Sequence, residues 1–194
     1  MTRIVVAEDE SLIRLDLVEL LSSEGYDVVG ACGRGDEAVR LVVELRPDLA
    51  LLDVMMPGLD GIEAARQITE NADVAVIMLT AFSQRELIDA ASDAGAMGYL
   101  VKPYQRDDLV PAIELAIARR RELADLTESL ESAQRRLRDR ALIDRAKGVL
   151  LDRYGMSEAD AFRFLQRNAM SNRRRMAEVA LEVLDGTAEL EGLN

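Results

Sequence analysis

The sequence predicts an α/β fold: a five-stranded parallel sheet covered by helices on both faces, then a long helix, then a small three-helix domain. Three observations carry this. Short apolar runs alternate with helix-patterned stretches as far as residue 118. The fifth helical stretch has no clear stop signal. The remainder of the chain shows helical spacing.

Taken in order, "RIVVA", "DVVGA", "LALLDV", "VAVIML" and "GYLVK" read as buried strands. Between them, "SLIRLDLVELLSSEG", "GDEAVRLVVELRP", "GIEAARQITENA" and "QRELIDAASDAG" place apolar residues at helical spacing and end near Gly, Pro or polar residues. Ser11 is the expected N-cap of the first helix. A fifth helix starts around Asp107. Strand-helix alternation demands crossovers, hence a parallel sheet with its functional site beyond the carboxyl ends of the strands. Past the fifth helix, Leu123, Leu126, Leu130, Ala133 and Leu137 follow the 3-4-3-4 spacing of a coiled-coil seam, here barely two heptads long. Self-association and packing on the chain's own C-terminal domain both fit it. "RALIDRAKGVLLDRYG" reads as a helix stopped by Gly155. "SEADAFRFLQRNAM" is opened by Ser157 with Asp160 in a capping-box arrangement. "NRRRMAEVALEVLDG" ends near Gly186. The tail "TAELEGLN" offers little to pack. The expected domains are 1–118, a helical linker 119–139, and 140–190.

Composition narrows the chemistry. The chain has no histidine, which excludes Ser/His/Asp and Cys/His nucleophile systems and His-ligated metals. No GxxxxGK[ST] phosphate loop occurs. A single cysteine, Cys32, cannot form an internal disulfide and suits a reducing, cytoplasmic setting. No apolar run reaches the roughly 18 residues of a membrane span, and the start turns acidic too soon for a signal peptide. Charge is uneven: residues 1–118 hold 9 basic and 22 acidic residues, the remainder 15 and 14, and the window 135–175 holds 12 and 5. A basic centre behind an acidic half suggests separate partners, with nucleic acid a candidate for the second.

Three carboxylates fall at strand ends: Glu8 and Asp9 after the first strand, and Asp53 on the third. Like charges brought together at one sheet edge call for a cation. Carboxylate oxygens with waters suit Mg²⁺. Thr80 ends the fourth strand with a hydroxyl and Lys102 ends the fifth with a positive charge. A carboxylate nucleophile, a metal, a hydroxyl and a lysine are the parts needed to accept a phosphoryl group.

"VVAEDE", "LLDVMMPGLDG", "MLTA" and "GYLVKP" together resemble the receiver domain of two-component response regulators, over residues 1 to about 118. The resemblance implies a flavodoxin-like (βα)5 fold with Asp53 as phosphoacceptor. It implies Mg²⁺ held by Asp9, Asp53 and the main-chain carbonyl of Met55, with Glu8 helping. It implies that Thr80 and Lys102 grip the phosphoryl oxygens, that Tyr99 is the aromatic switch, and that Lys102–Pro103 is cis. Tyr99 also has a plain reading as a half-buried aromatic. Met55 and Phe82 flank the pocket and cannot orient a hydrolytic water, so slow self-dephosphorylation is expected.

In the basic half, most residues of the apolar stripes are core: Leu142, Ala146, Val149 and Leu150; Ala161, Phe162, Leu165 and Ala169; Ala177, Ala180, Leu181 and Leu184. Gly148 costs roughly 1 kcal/mol inside a helix and marks a close approach of backbone or ligand. Lys147 beside it is an RNA candidate or a snorkelling surface lysine. "AKG", "SEADAF", "AM" and the order Asn172, basic, Met176, Ala177 before "VA" resemble the ANTAR domain of AmiR- and NasR-type antitermination regulators, over about 135–185. The resemblance implies a non-enzymatic regulator, phosphorylated by a sensor histidine kinase, that binds RNA stem-loops through Lys147, Gly148, Asn172, Arg173, Arg174 and Arg175, as a possible homodimer on phosphorylation. Tyr154 is the candidate stacking aromatic. The three arginines are expected in the first turn of the last helix, against its dipole, with Arg175 near Glu178 and Glu182. Other readings are a DNA-binding output, disfavoured by the lack of a clear tight turn before a recognition helix, a protein-interaction output, and a small phosphatase-like enzyme.

Overall fold

A computed structural model describes residues 1–81 and 85–187 of the chain. Phe82 and the tail from 188 onward, on which two expectations above rest, lie outside the described residues. The elements run β1 (Arg3–Ala7), α1 (Ser11–Ser23), β2 (Asp27–Cys32), α2 (Gly35–Leu45), β3 (Leu49–Asp53), α3 (Gly61–Asn71), β4 (Ala75–Thr80), α4 (Arg85–Asp93), β5 (Gly98–Val101), α5 (Arg106–Tyr154), α6 (Glu158–Ser171) and α7 (Met176–Asp185). The five strands form one parallel sheet in the order β2-β1-β3-β4-β5. The predicted fold class holds.

The strands read as unbroken apolar runs because both faces of the sheet are covered. Alternate residues serve opposite faces. Val5, Ala50, Leu52, Val76 and Met78 pack in one cluster with Ala38 and Val42 of α2 and Ala64, Ala65 and Ile68 of α3. Ile4, Val6, Leu49, Leu51, Ile77 and Leu79 pack in the other with Leu17 and Leu21 of α1 and Leu109 and Ile113 of α5. A third cluster joins Ala146 and Leu150 of α5, Ala161, Leu165 and Ala169 of α6, and Val179, Ala180 and Val183 of α7. The chain divides into two compact units, Met1–Ala124 and Asp125–Asn194.

Several local expectations change. The helix predicted from Arg140 is not separate: α5 runs unbroken from Arg106 to Tyr154, because nothing between Leu137 and Leu142 is a glycine or proline that would stop it. Ser11 is the first residue of α1, not its cap; Glu10 occupies that position without a side-chain cap. Ser157 does cap α6, accepting from the Asp160 amide at 3.2 Å. The last helix begins at Met176, so the arginines stand in the turn before it. On α6, Phe162 is 43% exposed and Phe164 is the ring packed against the cluster. On α7 the buried face is Ala177, Val179, Ala180 and Val183, and Leu181 is exposed. Seven of its ten residues are apolar, so two overlapping faces fit its spacing, and the β-branched pair Val179/Val183 takes the core.

Candidate functional site

Because β1, β3 and β4 are neighbours with β5 beside β4, their carboxyl ends gather the polar residues at one edge. Glu8 and Asp9 follow the last residue of β1, Asp53 and Thr80 close β3 and β4, and Lys102 follows β5. The edge is tightened by main-chain bonds, from Lys102 N to Thr80 O at 2.7 Å and from Val54 N to Leu79 O at 2.9 Å. The segment after Asp53 folds back so closely that a Cβ on Gly61 would stand 1.9 Å from the Asp53 carbonyl oxygen. One on Gly35 would stand 2.2 Å from the Leu59 carbonyl oxygen. Glycine is required at both by contact with main chain, which cannot rotate away.

At the centre Lys102 bridges two buried carboxylates. Its Nζ lies 2.5 Å from Glu8 Oε2 and 2.8 Å from Asp53 Oδ2. Glu8 is fully buried, and Asp53 and Thr80 nearly so. Burial pushes the Glu8 carboxyl above its ordinary range, opposed by the bond from Lys102 and reinforced by the Asp53 charge. For Lys102, burial works to lower the pKa, but Asp53 and Glu8 together hold it above the usual lysine value. The ammonium therefore stays charged. Glu8 Oε1 has a separate partner, the Glu10 amide at 3.4 Å, and Asp53 Oδ1 receives a long contact from the Met55 amide, also 3.4 Å.

Oxygens of Glu8, Asp9 and Asp53 lie within 4.8 Å of one another, close enough to share one cation. Asp9 is exposed and the other two are buried, so an ion here would be approached from the solvent side. The donors are all oxygen, which suits a hard divalent ion. Tyr99 stands on β5 opposite Met78, the residue as a whole 47% exposed. Lys102–Pro103 is cis.

Two residues of this neighbourhood escaped the sequence reading. Arg14 of α1 donates from Nη1 to the main-chain carbonyls of Glu8 and, at 3.4 Å, Asp9, pinning the acidic loop. A Cβ on Gly33 would press within 3.0 Å of that guanidinium. Tyr104, two residues past Lys102, has a buried hydroxyl without a partner among the described residues. Only their spacing from Asp9 and Lys102 could have flagged them.

In the second unit the basic residues fare differently. Lys147 is bound to Asp144 at 2.9 Å and to Glu158 at 3.0 Å. Gly148 has open space where its Cβ would be, so no close approach within the chain explains it. Asn172 is the C-cap of α6, and Arg173 follows at φ 50°, in the left-handed region. The Arg174 amide reaches back to Ala169 O at 2.9 Å and that of Arg173 to Met170 O at 3.3 Å, the reciprocal pair that closes a helix at a left-handed residue. Arg174 meets Glu182 at 2.7 Å and Glu178 at 3.6 Å, and Arg175 meets Glu178 at 3.0 Å. The partner expected at Glu182 for Arg175 belongs to Arg174. Arg173 is exposed and makes no side-chain ion pair among the described residues.

Comparison with known proteins places these observations. Residues 4–114 match the model of the response regulator receiver domain, and 131–184 match that of the ANTAR domain. The transcriptional regulatory protein PdtaR of Mycobacterium tuberculosis is 51% identical over 185 residues, covering 94% of this chain and 90% of that protein. Among solved structures, the signal receiver domain of a modulated diguanylate cyclase from Desulfovibrio desulfuricans is 37% identical, with a TM-score of 0.59 over 62% of this chain and 97% of that one. A CheX–CheY–BeF3–Mg²⁺ complex from Borrelia burgdorferi is 26% identical, with a TM-score of 0.56 over 58% and 86%.

Proposed function

The chain belongs to the two-component response regulators that join a receiver domain to an ANTAR output domain, and from that premise we propose that Asp53 accepts a phosphoryl group from a sensor histidine kinase and that the output unit then binds RNA stem-loops to prevent transcription termination. The observation that carries the first half is the bridging of Glu8 and Asp53 by Lys102 at the sheet edge.

Asp53 is held ready as nucleophile. Lys102 occupies Oδ2, while Oδ1 has only the long Met55 contact and is the oxygen more available for attack. Oδ1 bonds to the phosphorus as the kinase's P–N bond breaks, and the departing imidazole keeps that electron pair. Lys102 then turns its protons to the phosphoryl oxygens, with the Thr80 hydroxyl at the next strand end. The cation fits the donor set of Glu8, Asp9 and Asp53, with the Met55 carbonyl, and would neutralise charge shared between carboxylate and phosphoryl oxygens. Tyr99, at the surface of β5, is the side chain through which the change at Thr80 is read.

For the output unit, Arg173 is the residue best placed for phosphate, since Lys147, Arg174 and Arg175 are already paired. The exposed leucines 123, 126, 130 and 137 of α5 supply a seam for a homodimer. A helix-turn-helix reading gains from the tight turn at 172–175. It loses on α7 itself, which carries Glu178, Glu182 and Asp185 and no basic residue to meet a phosphate backbone.

The test uses the full chain with acetyl phosphate and Mg²⁺, then hairpin RNA and duplex DNA over a salt series. One added phosphoryl mass that Asp53→Asn abolishes, with binding to hairpin RNA, supports the reading. A phosphoryl group retained in that variant, or binding to duplex DNA alone, overturns it. No helix among the described residues is long and apolar enough to cross a membrane.

A further inference from the structure

Arg14 sits in the first turn of α1 and does not behave as a surface arginine usually does. Glu10 lies four residues before it, the favoured spacing for a helix ion pair. Glu8 and Asp9 come just before that. Among the described residues Arg14 pairs with none of these carboxylates. Its Nη1 donates instead to the main-chain carbonyls of Glu8 and, at 3.4 Å, of Asp9. The Glu8 amide is bound in turn to Cys32 O at 3.0 Å. The peptide groups of the acidic loop are thus clamped between the end of β2 and the start of α1.

The three carboxylates of the edge differ in what holds them. Lys102 fixes Glu8 and Asp53. Asp9 is exposed, and its carboxylate has no hydrogen-bond or ion-pair partner among the described residues. Its place is set by its main chain, and that main chain is what Arg14 holds. A guanidinium bound to the carbonyls also leaves the Asp9 carboxylate oxygens free for an ion, where a direct ion pair would compete for them.

Gly33 completes the arrangement. A Cβ there would stand 3.0 Å from Arg14 Nη1, 3.6 Å from Glu8 O and 3.7 Å from Asp9 Cα. Its φ lies outside the left-handed region, so a side chain would disturb the seat of the guanidinium and not the backbone of Gly33 itself.

We propose that Arg14 is a positioning residue for the divalent cation. It holds the Glu8–Asp9 main chain so that the Asp9 carboxylate stays within reach of Glu8 and Asp53, and Gly33 keeps open the space the guanidinium needs. The inference rests on the reading of these three carboxylates as a cation site. Groups that orient the direct ligands of a metal commonly govern its affinity by about tenfold or more. Arg14 does so against its own charge, since a guanidinium near a cation repels it. A purely electrostatic influence would therefore have the opposite sign.

The experiment titrates the full, unphosphorylated chain with Mn²⁺, reads the free ion by electron paramagnetic resonance, and checks Mg²⁺ by competition. Thermal shift without ion reports folding. Arg14→Ala should weaken Mn²⁺ binding about tenfold with little change in the ion-free Tm. Arg14→Lys keeps the charge and a donor and should recover part of the loss. Gly33→Ala should weaken binding in the same direction, and Arg14→Ala/Gly33→Ala should bind no more weakly than Arg14→Ala alone, because both act through one contact. Equal or tighter Mn²⁺ binding in Arg14→Ala overturns the proposal, as do losses that add in the double variant. If Arg14→Ala does not fold, Gly33→Ala decides alone, and unchanged affinity there overturns it. Asp53→Asn tests the cation site separately. If wild type binds no Mn²⁺, or Asp53→Asn binds it equally well, the cation reading fails and the proposal with it.

Discussion

The Lys147 ammonium on α5 lies 3.0 Å from the Glu158 carboxylate in the first turn of α6. With Asp144 at 2.9 Å on its other side, the lysine ties two helices of the output unit across the bend at Gly155. A cation with two carboxylates in reach has little left for phosphate. We expect Lys147→Ala to lower the Tm slightly and to leave the slope of log affinity for hairpin RNA against log salt unchanged. A slope reduced as far as by loss of a true phosphate contact would return Lys147 to the RNA surface.

Arg173 should behave in the opposite way. Arg173→Ala is expected to reduce the salt slope by about 0.7, the effect of one phosphate contact on single-stranded nucleic acid, with smaller changes for Arg174→Ala and Arg175→Ala. Arg173→Gly separates binding from folding. Glycine accepts the positive φ at lower cost, so this variant should gain about 1 kcal/mol of stability while losing RNA affinity. Urea unfolding and salt-series binding on the same samples decide it.

The two phenylalanines of α6 should also part company. Phe164 packs against the third cluster, and Phe164→Ala should cost about 3 kcal/mol. Phe162 faces water, and Phe162→Ala should stay within about 0.5 kcal/mol of wild type. If the exposed ring stacks on a loop base, the same change should weaken hairpin binding by at least tenfold. Unaltered binding would leave Tyr154 as the stacking aromatic of that unit.

At high pH two tyrosines should titrate late. Tyr26, buried and bonded to Glu114 at 3.1 Å, is pushed up to about 12, as is Tyr104. Both phenols are raised above the unfolded value near 10, so the folded chain binds more protons than the unfolded one between about pH 10 and 12. Stability is fully present below pH 10 and falls as pH rises through that window. Tyrosinate absorbance should show these two groups ionising near 12 or with unfolding, and Tyr26→Phe should flatten the alkaline loss of stability.

What the sequence made legible follows from how locally each feature is encoded. The strands were readable because covering both faces of a sheet leaves no polar residue in Leu49–Leu52 or Ala75–Leu79. The acidic site was readable because strand ends are fixed by the same runs that make the strands. The turn at 172–175 was not, since Arg173 takes a left-handed backbone usually signalled by glycine. Phe162 and Leu181 were misplaced because helical spacing in an apolar-rich segment admits two neighbouring faces, and only the third cluster chooses between them. Lys147 looked available because its two acidic partners come from different helices. Tyr104 gave no signal, because an unsatisfied hydroxyl exists only in three dimensions.

The fit of Gly61 against the Asp53 carbonyl and of Gly35 against the Leu59 carbonyl has a mechanical side. Side chains that meet across a gap can absorb a displacement by changing rotamer. Main chain resting on main chain has no such slack. From Asp53 the contacts run to the start of α3, and from Leu59 on the intervening loop to the start of α2. A shift at Asp53 therefore presses directly on the start of α3, as one at Leu59 does on the start of α2. The first turn of α3 becomes a gauge of what has happened at the acidic edge, readable by hydrogen exchange there.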